Sequence, residues 1–69
     1  MKPLVLKTEI YDRVTVAQAA LDFKQVATIG VSHEPESIIC TFSNCVYGEE
    51  TTMNEFENYL IDLTNSLAK

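Results

Sequence analysis

Three side chains in this sequence have the donor chemistry of a soft-metal or redox site: His33, Cys40 and Cys45. Imidazole and thiolate hold zinc or iron, and a thiolate of lowered pKa attacks disulfides and electrophiles. Their spacing is irregular, unlike the paired ligand motifs that close a structural zinc site. If the strand beginning at Ile38 runs unbroken, Cys40 and Cys45 stand about 17 Å apart at roughly 3.3 Å per residue, on opposite faces. That exceeds the roughly 7 Å Cα separation a disulfide spans. Cys40 therefore reads as a small core hydrophobe, Cys45 as a thiol near a strand end, and His33 as a partly exposed residue beside a turn. A small thiol or metal protein built on these three is the alternative function. The sequence has no glycine-rich phosphate loop and no serine in a nucleophile-elbow context, and a single histidine leaves most acid–base roles unfilled. No catalytic residue, metal ligand or cofactor is assigned, and the chain is not expected to be an enzyme.

The charged residues are more informative. Residues 1–24 are nearly balanced, with Lys2, Lys7, Arg13 and Lys24 against Glu9, Asp12 and Asp22. Residues 25–68 contain no Lys or Arg, while Glu34, Glu36, Glu49, Glu50, Glu55, Glu57 and Asp62 carry seven negative charges, and the whole chain has a net charge of −5. Glutamates are good turn and first-turn residues, but that does not explain the missing lysines, which i,i+4 pairing would ordinarily supply. A surface of this sign repels phosphate backbones and anionic lipid heads, so neither nucleic acid nor membrane is expected as a partner. It suits a basic protein or peptide.

The chain has 69 residues, of which 46% are hydrophobic, with two glycines and two prolines. That is one packed domain spanning 1–69, at a size where only about 60% of the unfolded surface is buried. No apolar run reaches the roughly 18 residues a membrane span needs, and the segment before Lys7 is too short for a signal-peptide core. Two cysteines are too few for a secreted disulfide scaffold, so a cytoplasmic address with reduced thiols is expected.

Periodicity predicts five elements. Leu4 to Ile10 alternates with period two and reads as a strand, with Leu4, Leu6, Thr8 and Ile10 on one side and Val5, Lys7 and Glu9 on the other. Thr15 and Gln18 form a capping-box pattern for a first helix, whose stripe of Val16, Ala19, Ala20, Phe23 and Ala27 is thin and alanine-rich. That helix is expected to end near Gln25. A β-branched alternation follows over 27–33, then a turn at Glu34-Pro35-Glu36-Ser37, then a strand from Ile38 to about Val46. Thr52 and Glu55 make a second capping box, ahead of a helix from about Met53 to Leu67 with Phe56, Leu60, Leu63 and Leu67 on its stripe. Met53, Tyr59 and Ile61 flank that stripe.

One sheet face then collects Leu4, Leu6, Ile10, Ile29, Val31, Ile38, Cys40 and Phe42, and both helices must cover it. The other holds small or polar residues such as Lys7, Glu9, Thr28, Gly30, Ser32, Thr41 and Ser43. A right-handed crossover makes the first two strands parallel, and a tight hairpin sets the third antiparallel between them. The expected fold is α+β, a two-layer β-α-β-β-α sandwich whose three-stranded sheet, in order 1-3-2, carries two helices on one face. This resembles a ferredoxin-like fold lacking its last strand. The first strand is left with an open edge at Val5, Lys7 and Glu9, available to an extended peptide or to a second copy in a homodimer.

Two segments resemble the HxsD-like proteins of the His-Xaa-Ser system: Glu9-Ile10-Tyr11 leading through Val16-Ala17-Gln18-Ala19-Ala20-Leu21-Asp22-Phe23, and Asn54-Glu55-Phe56-Glu57-Asn58-Tyr59-Leu60-Ile61-Asp62-Leu63. In that family a tyrosine precedes an alanine-rich helix ending near a phenylalanine, and the last helix carries a Leu-Asn-acidic pattern followed by an arginine. Here Asn58-Tyr59 is similar, the arginine is missing, and the likeness covers about half of the chain. The resemblance implies a small accessory protein working beside a radical-SAM maturation enzyme, without recognised catalytic residues. The expected function is a non-enzymatic accessory or protein- or peptide-binding module. It would use Glu49, Glu50, Glu55 and Glu57 together with the edge of Val5, Lys7 and Glu9.

Overall fold

The computed structural model describes residues 2–67. The elements run β1 (Leu4–Lys7), α1 (Arg13–Asp22), β2 (Thr28–His33), β3 (Ser37–Ser43) and α2 (Glu49–Leu67). The sheet order is β1-β3-β2, with β3 antiparallel to both neighbours, so β1 and β2 are parallel. This is the α+β architecture the periodicity predicts.

Register explains why one face is oily. Leu4 and Val31 both lie opposite Cys40, Leu6 and His33 both lie opposite Ile38, and Ile29 lies opposite Phe42. Side chains in register share a face. Leu6, Ile38, Cys40 and Phe42 are buried there with Val16 and Ala19 of α1 and Phe56 and Leu60 of α2. The alanines let α1 lie close to the sheet, and α2 supplies the bulk. Phe56 is the hub: its ring meets Phe23 edge-on with centroids 5.2 Å apart, and Phe42 at 5.4 Å. Tyr59 packs on Phe23 at 5.5 Å. The side chain of Leu67, expected on the same stripe, lies outside the described residues.

Element ends depart from the periodic reading for local reasons. β1 stops at Lys7 because the Lys7 carbonyl accepts from the N–H groups of Ile10 (3.1 Å) and Tyr11 (3.0 Å), curling the chain into a turn. Ile10 is therefore 64% exposed rather than on the core face, and Glu9 sits in the turn rather than on the strand. The cap of α1 is Asp12, not Thr15: the Asp12 carboxylate accepts from the Thr15 N–H at 3.2 Å, and Thr15 is buried in the first turn. α1 ends at Asp22 instead of Gln25, as the N–H groups of Val26 and Ala27 both turn back to the Phe23 carbonyl. β3 ends at Ser43, where Asn44 adopts φ 52°.

α2 begins four residues ahead of the predicted Met53, with Glu49 and Glu50 in its first turn at the positive end of the helix dipole. Gly48 has φ +92°, a conformation that favours glycine, and no side chain crowds it. Its carbonyl takes both the N–H of Thr52 (3.1 Å) and the Thr52 hydroxyl (2.7 Å), so Thr52 is a buried residue of the first turn rather than a cap.

Candidate functional site

Among the described residues both outer edges of the sheet are free of strand partners, and hydrogen-bond direction shows what each offers. In an antiparallel ladder, alternate residues aim their backbone groups at the partner strand and the intervening ones aim away. The Thr8 N–H donates to the Glu36 carbonyl at 3.2 Å, which sets Leu4, Leu6 and Thr8 toward β3 and leaves Val5 and Lys7 facing outward. The Lys7 carbonyl is already taken by the turn after β1, and Pro3 has no N–H to give. The β1 edge is thus reduced to the C=O of Pro3, the N–H and C=O of Val5 and the N–H of Lys7. Glu9 contributes nothing to it.

β2 offers more. The Glu34 N–H donates to the Ser37 carbonyl at 2.9 Å, so Thr28, Gly30 and Ser32 aim at β3, and the backbone groups of Ile29, Val31 and His33 point outward. Beside them runs a groove of about 470 Å³, floored by half-buried Ile29 and Val31 and walled by Ala17, Ala20, Leu21 and Lys24 of α1 and its following turn. Leu21 is 63% exposed. The wall is low where Ala17 and Ala20 form it, and that makes room for a side chain from outside. Sequence periodicity exposes Leu21 as the residue pointing off its stripe, but the β2 edge follows only from the register.

At the far end of β2 the Arg13 guanidinium reaches from α1 to the strand end and the turn that follows it. Its Nη2 donates to the carbonyls of Glu34 and Pro35, and its Nη1 lies 2.9 Å from Nδ1 of His33. Arginine only donates, so that ring nitrogen serves as the acceptor. No sequence pattern marks Arg13, since its partners are two backbone carbonyls and a ring brought together only by the crossover.

The predicted acidic residues do not form one face. Glu49 and Glu50 are exposed at the start of α2, on a groove shared with Lys2 and Met53. Glu55 is exposed on another flank, and Glu57 is half-buried. Two residues on a helix are separated by about 200°, which sends Glu55 and Glu57 in different directions.

Among the soft donors, Cys40 is fully buried, and burial pushes its thiol up to about 11. Cys45 is half-buried beyond the end of β3, its Sγ 3.8 Å from the Ser43 carbonyl. Both thiols are free. No group of three His, Cys, Asp or Glu stands together as a metal site among the described residues. An aromatic disulfide reagent at neutral pH is expected to modify Cys45 within minutes, while Cys40 reacts only on unfolding. Equal rates for the two thiols in the folded chain would contradict the packing described.

No helix of the described residues is long and apolar enough to cross a membrane. Comparison with protein-family models, with curated proteins and with solved structures found no match to this chain.

Proposed function

We propose that the chain is a non-enzymatic accessory module that captures an extended, basic peptide segment of a partner protein as a fourth strand along β2. The observation that carries this reading is the row of outward backbone groups at Ile29, Val31 and His33 beside an apolar groove. Strand addition draws affinity from such backbone groups and specificity from pockets for alternate side chains. The groove beside Leu21 takes the inward-facing side chains of the guest. The preference for a basic guest is a long-range one, since the groove wall itself holds Lys24 and no carboxylate: the net charge of −5 and the cation-free span 25–68 raise the encounter rate with a positive partner.

The resemblance to HxsD-like proteins supports the same reading from the sequence. In such a system the guest is a segment of the maturation enzyme or of its peptide substrate, and the chain works in the cytoplasm with Cys40 and Cys45 reduced.

Selection of a displayed random-peptide library on the immobilised chain tests the proposal. It predicts recovery of peptides of alternating β-branched and basic residues that bind a monomeric chain, with affinity falling as salt rises. Reversing Glu49, Glu50 and Glu57 to lysine, with Glu55 left in place, should weaken them further. Affinity unmoved by either change would remove the electrostatic part. A chain that sediments as a dimer with β2 paired to β2 would replace the peptide guest with a second copy.

A further inference from the structure

A second groove, of about 440 Å³, lies between the end of α1 and the start of α2 and shares no residue with the groove beside β2. Its surface is mostly apolar, and Phe23, Val26 and Tyr47 line it together with Thr51 and two acidic residues, Asp22 and Glu55. Asp22 is held in place from two sides. The Tyr59 hydroxyl donates to its Oδ2 at 2.5 Å, and the Gln18 amide donates to its Oδ1 at 2.9 Å. These bonds hold the Asp22 carboxyl below the usual carboxylate range, Tyr59 contributing first and Gln18 second. The carboxylate is thus fixed and ionised before any ligand arrives.

The position is electrostatically odd for an acid. Asp22 is the last residue of α1, where the helix dipole is negative, and the last turn contains no basic residue. The nearby Lys24 borders the other groove. Glu55 adds a second negative charge, while Tyr47 keeps 68% of its surface exposed beside the apolar floor. The positive start of α2 and the negative end of α1 oppose each other here, so the two carboxylates set the sign, and with the aromatic rings they leave a place for a cation. A planar cation suits it best, because a guanidinium stacks on an aromatic face while its fork meets a carboxylate, which a compact ammonium does less well.

We infer that this groove binds the arginine side chain of a partner protein. It lies apart from the strand-addition edge, so the inference goes beyond the peptide-capture reading and stands or falls separately.

The probe is the capped tripeptide acetyl-Gly-Arg-Gly-amide, which is too short to add a strand, titrated into the isotopically labelled full chain by NMR. Saturable shifts are expected at Asp22, Phe23, Val26, Tyr47, Thr51 and Glu55, with Ile29 and Val31 unmoved. The lysine tripeptide should bind about fivefold more weakly and the uncharged citrulline tripeptide not measurably. Glu55→Gln and Tyr47→Ala, both at exposed positions, should each weaken the arginine probe about fivefold while the rest of the spectrum stays unchanged. Absence of saturable shifts in the groove, equal binding of the citrulline probe, or indifference to both substitutions would overturn the inference.

Discussion

Phe56→Ala is expected to lose about 3–5 kcal/mol of unfolding free energy, the range for deleting a buried aromatic ring from a packed core. The ring touches the core from all sides. It is fully buried, meets Phe23 and Phe42 edge-on, and joins α2 to both the sheet and the end of α1. A domain of this length has about 3–10 kcal/mol to lose at the usual 0.05–0.15 kcal/mol per residue, so the variant should lose at least about a third of its stability. Urea titration followed by circular dichroism measures it. Ile61→Ala on the same helix removes a half-exposed side chain and should stay within about 0.5 kcal/mol. A Phe56→Ala chain within 1 kcal/mol of the parent would show that the core is not organised around that ring.

Leu21→Glu and Val31→Pro should each weaken a library-selected peptide by about tenfold or more while leaving the fold intact. Leu21 is exposed on the groove wall, and the loss expected is that of one buried leucine contact, about 1.5–3 kcal/mol. Val31→Pro acts through the backbone. The N–H it removes points away from β3, so no ladder bond inside the sheet is lost, whereas a guest strand loses a donor and meets the pyrrolidine ring. Ser32→Pro is the control with the opposite sign: its N–H faces β3, and the sheet itself should fail. Isothermal titration with circular dichroism as the fold check distinguishes these outcomes. Parent-like affinity in both Leu21→Glu and Val31→Pro would remove β2 as the binding edge.

Much of this architecture is legible in the sequence because burial imposes period. The stripe of Phe56 and Leu60 with its neighbours, and the alternation of Ile38, Cys40 and Phe42, lie where the core requires them, and the 1-3-2 order is one that a crossover followed by a hairpin allows. Ends are less legible, since competing hydrogen bonds decide them. Thr8 and Ile10 continue the alternation of β1 although the Lys7 carbonyl has already turned the chain, and Asp12 outcompetes Thr15 for a role that either side chain can fill. Acidic residues at the head of α2 read as a loop until Gly48 supplies the conformation that starts the helix earlier.

The site is less legible than the fold for a different reason. Whether a strand residue aims its N–H inward or outward depends on register with its neighbour, which no side-chain pattern encodes. Hence the edge of Val5, Lys7 and Glu9 attracts attention by its polar residues, while β2 offers the longer row of outward groups. The groove at Asp22, Phe23, Tyr47 and Glu55 joins residues from two helix ends, and its fixed carboxylate depends on Tyr59 reaching across from α2.

Residue-resolved amide exchange along β2 tests the central claim most directly. In the free chain, Gly30 and Ser32 should exchange slowly and Ile29 and Val31 quickly, and a bound library-selected peptide should slow Ile29 and Val31 to the rate of their neighbours. Ile29 and Val31 amides already protected in the free monomer, or still exchanging quickly under a saturating peptide, would contradict strand addition at this edge.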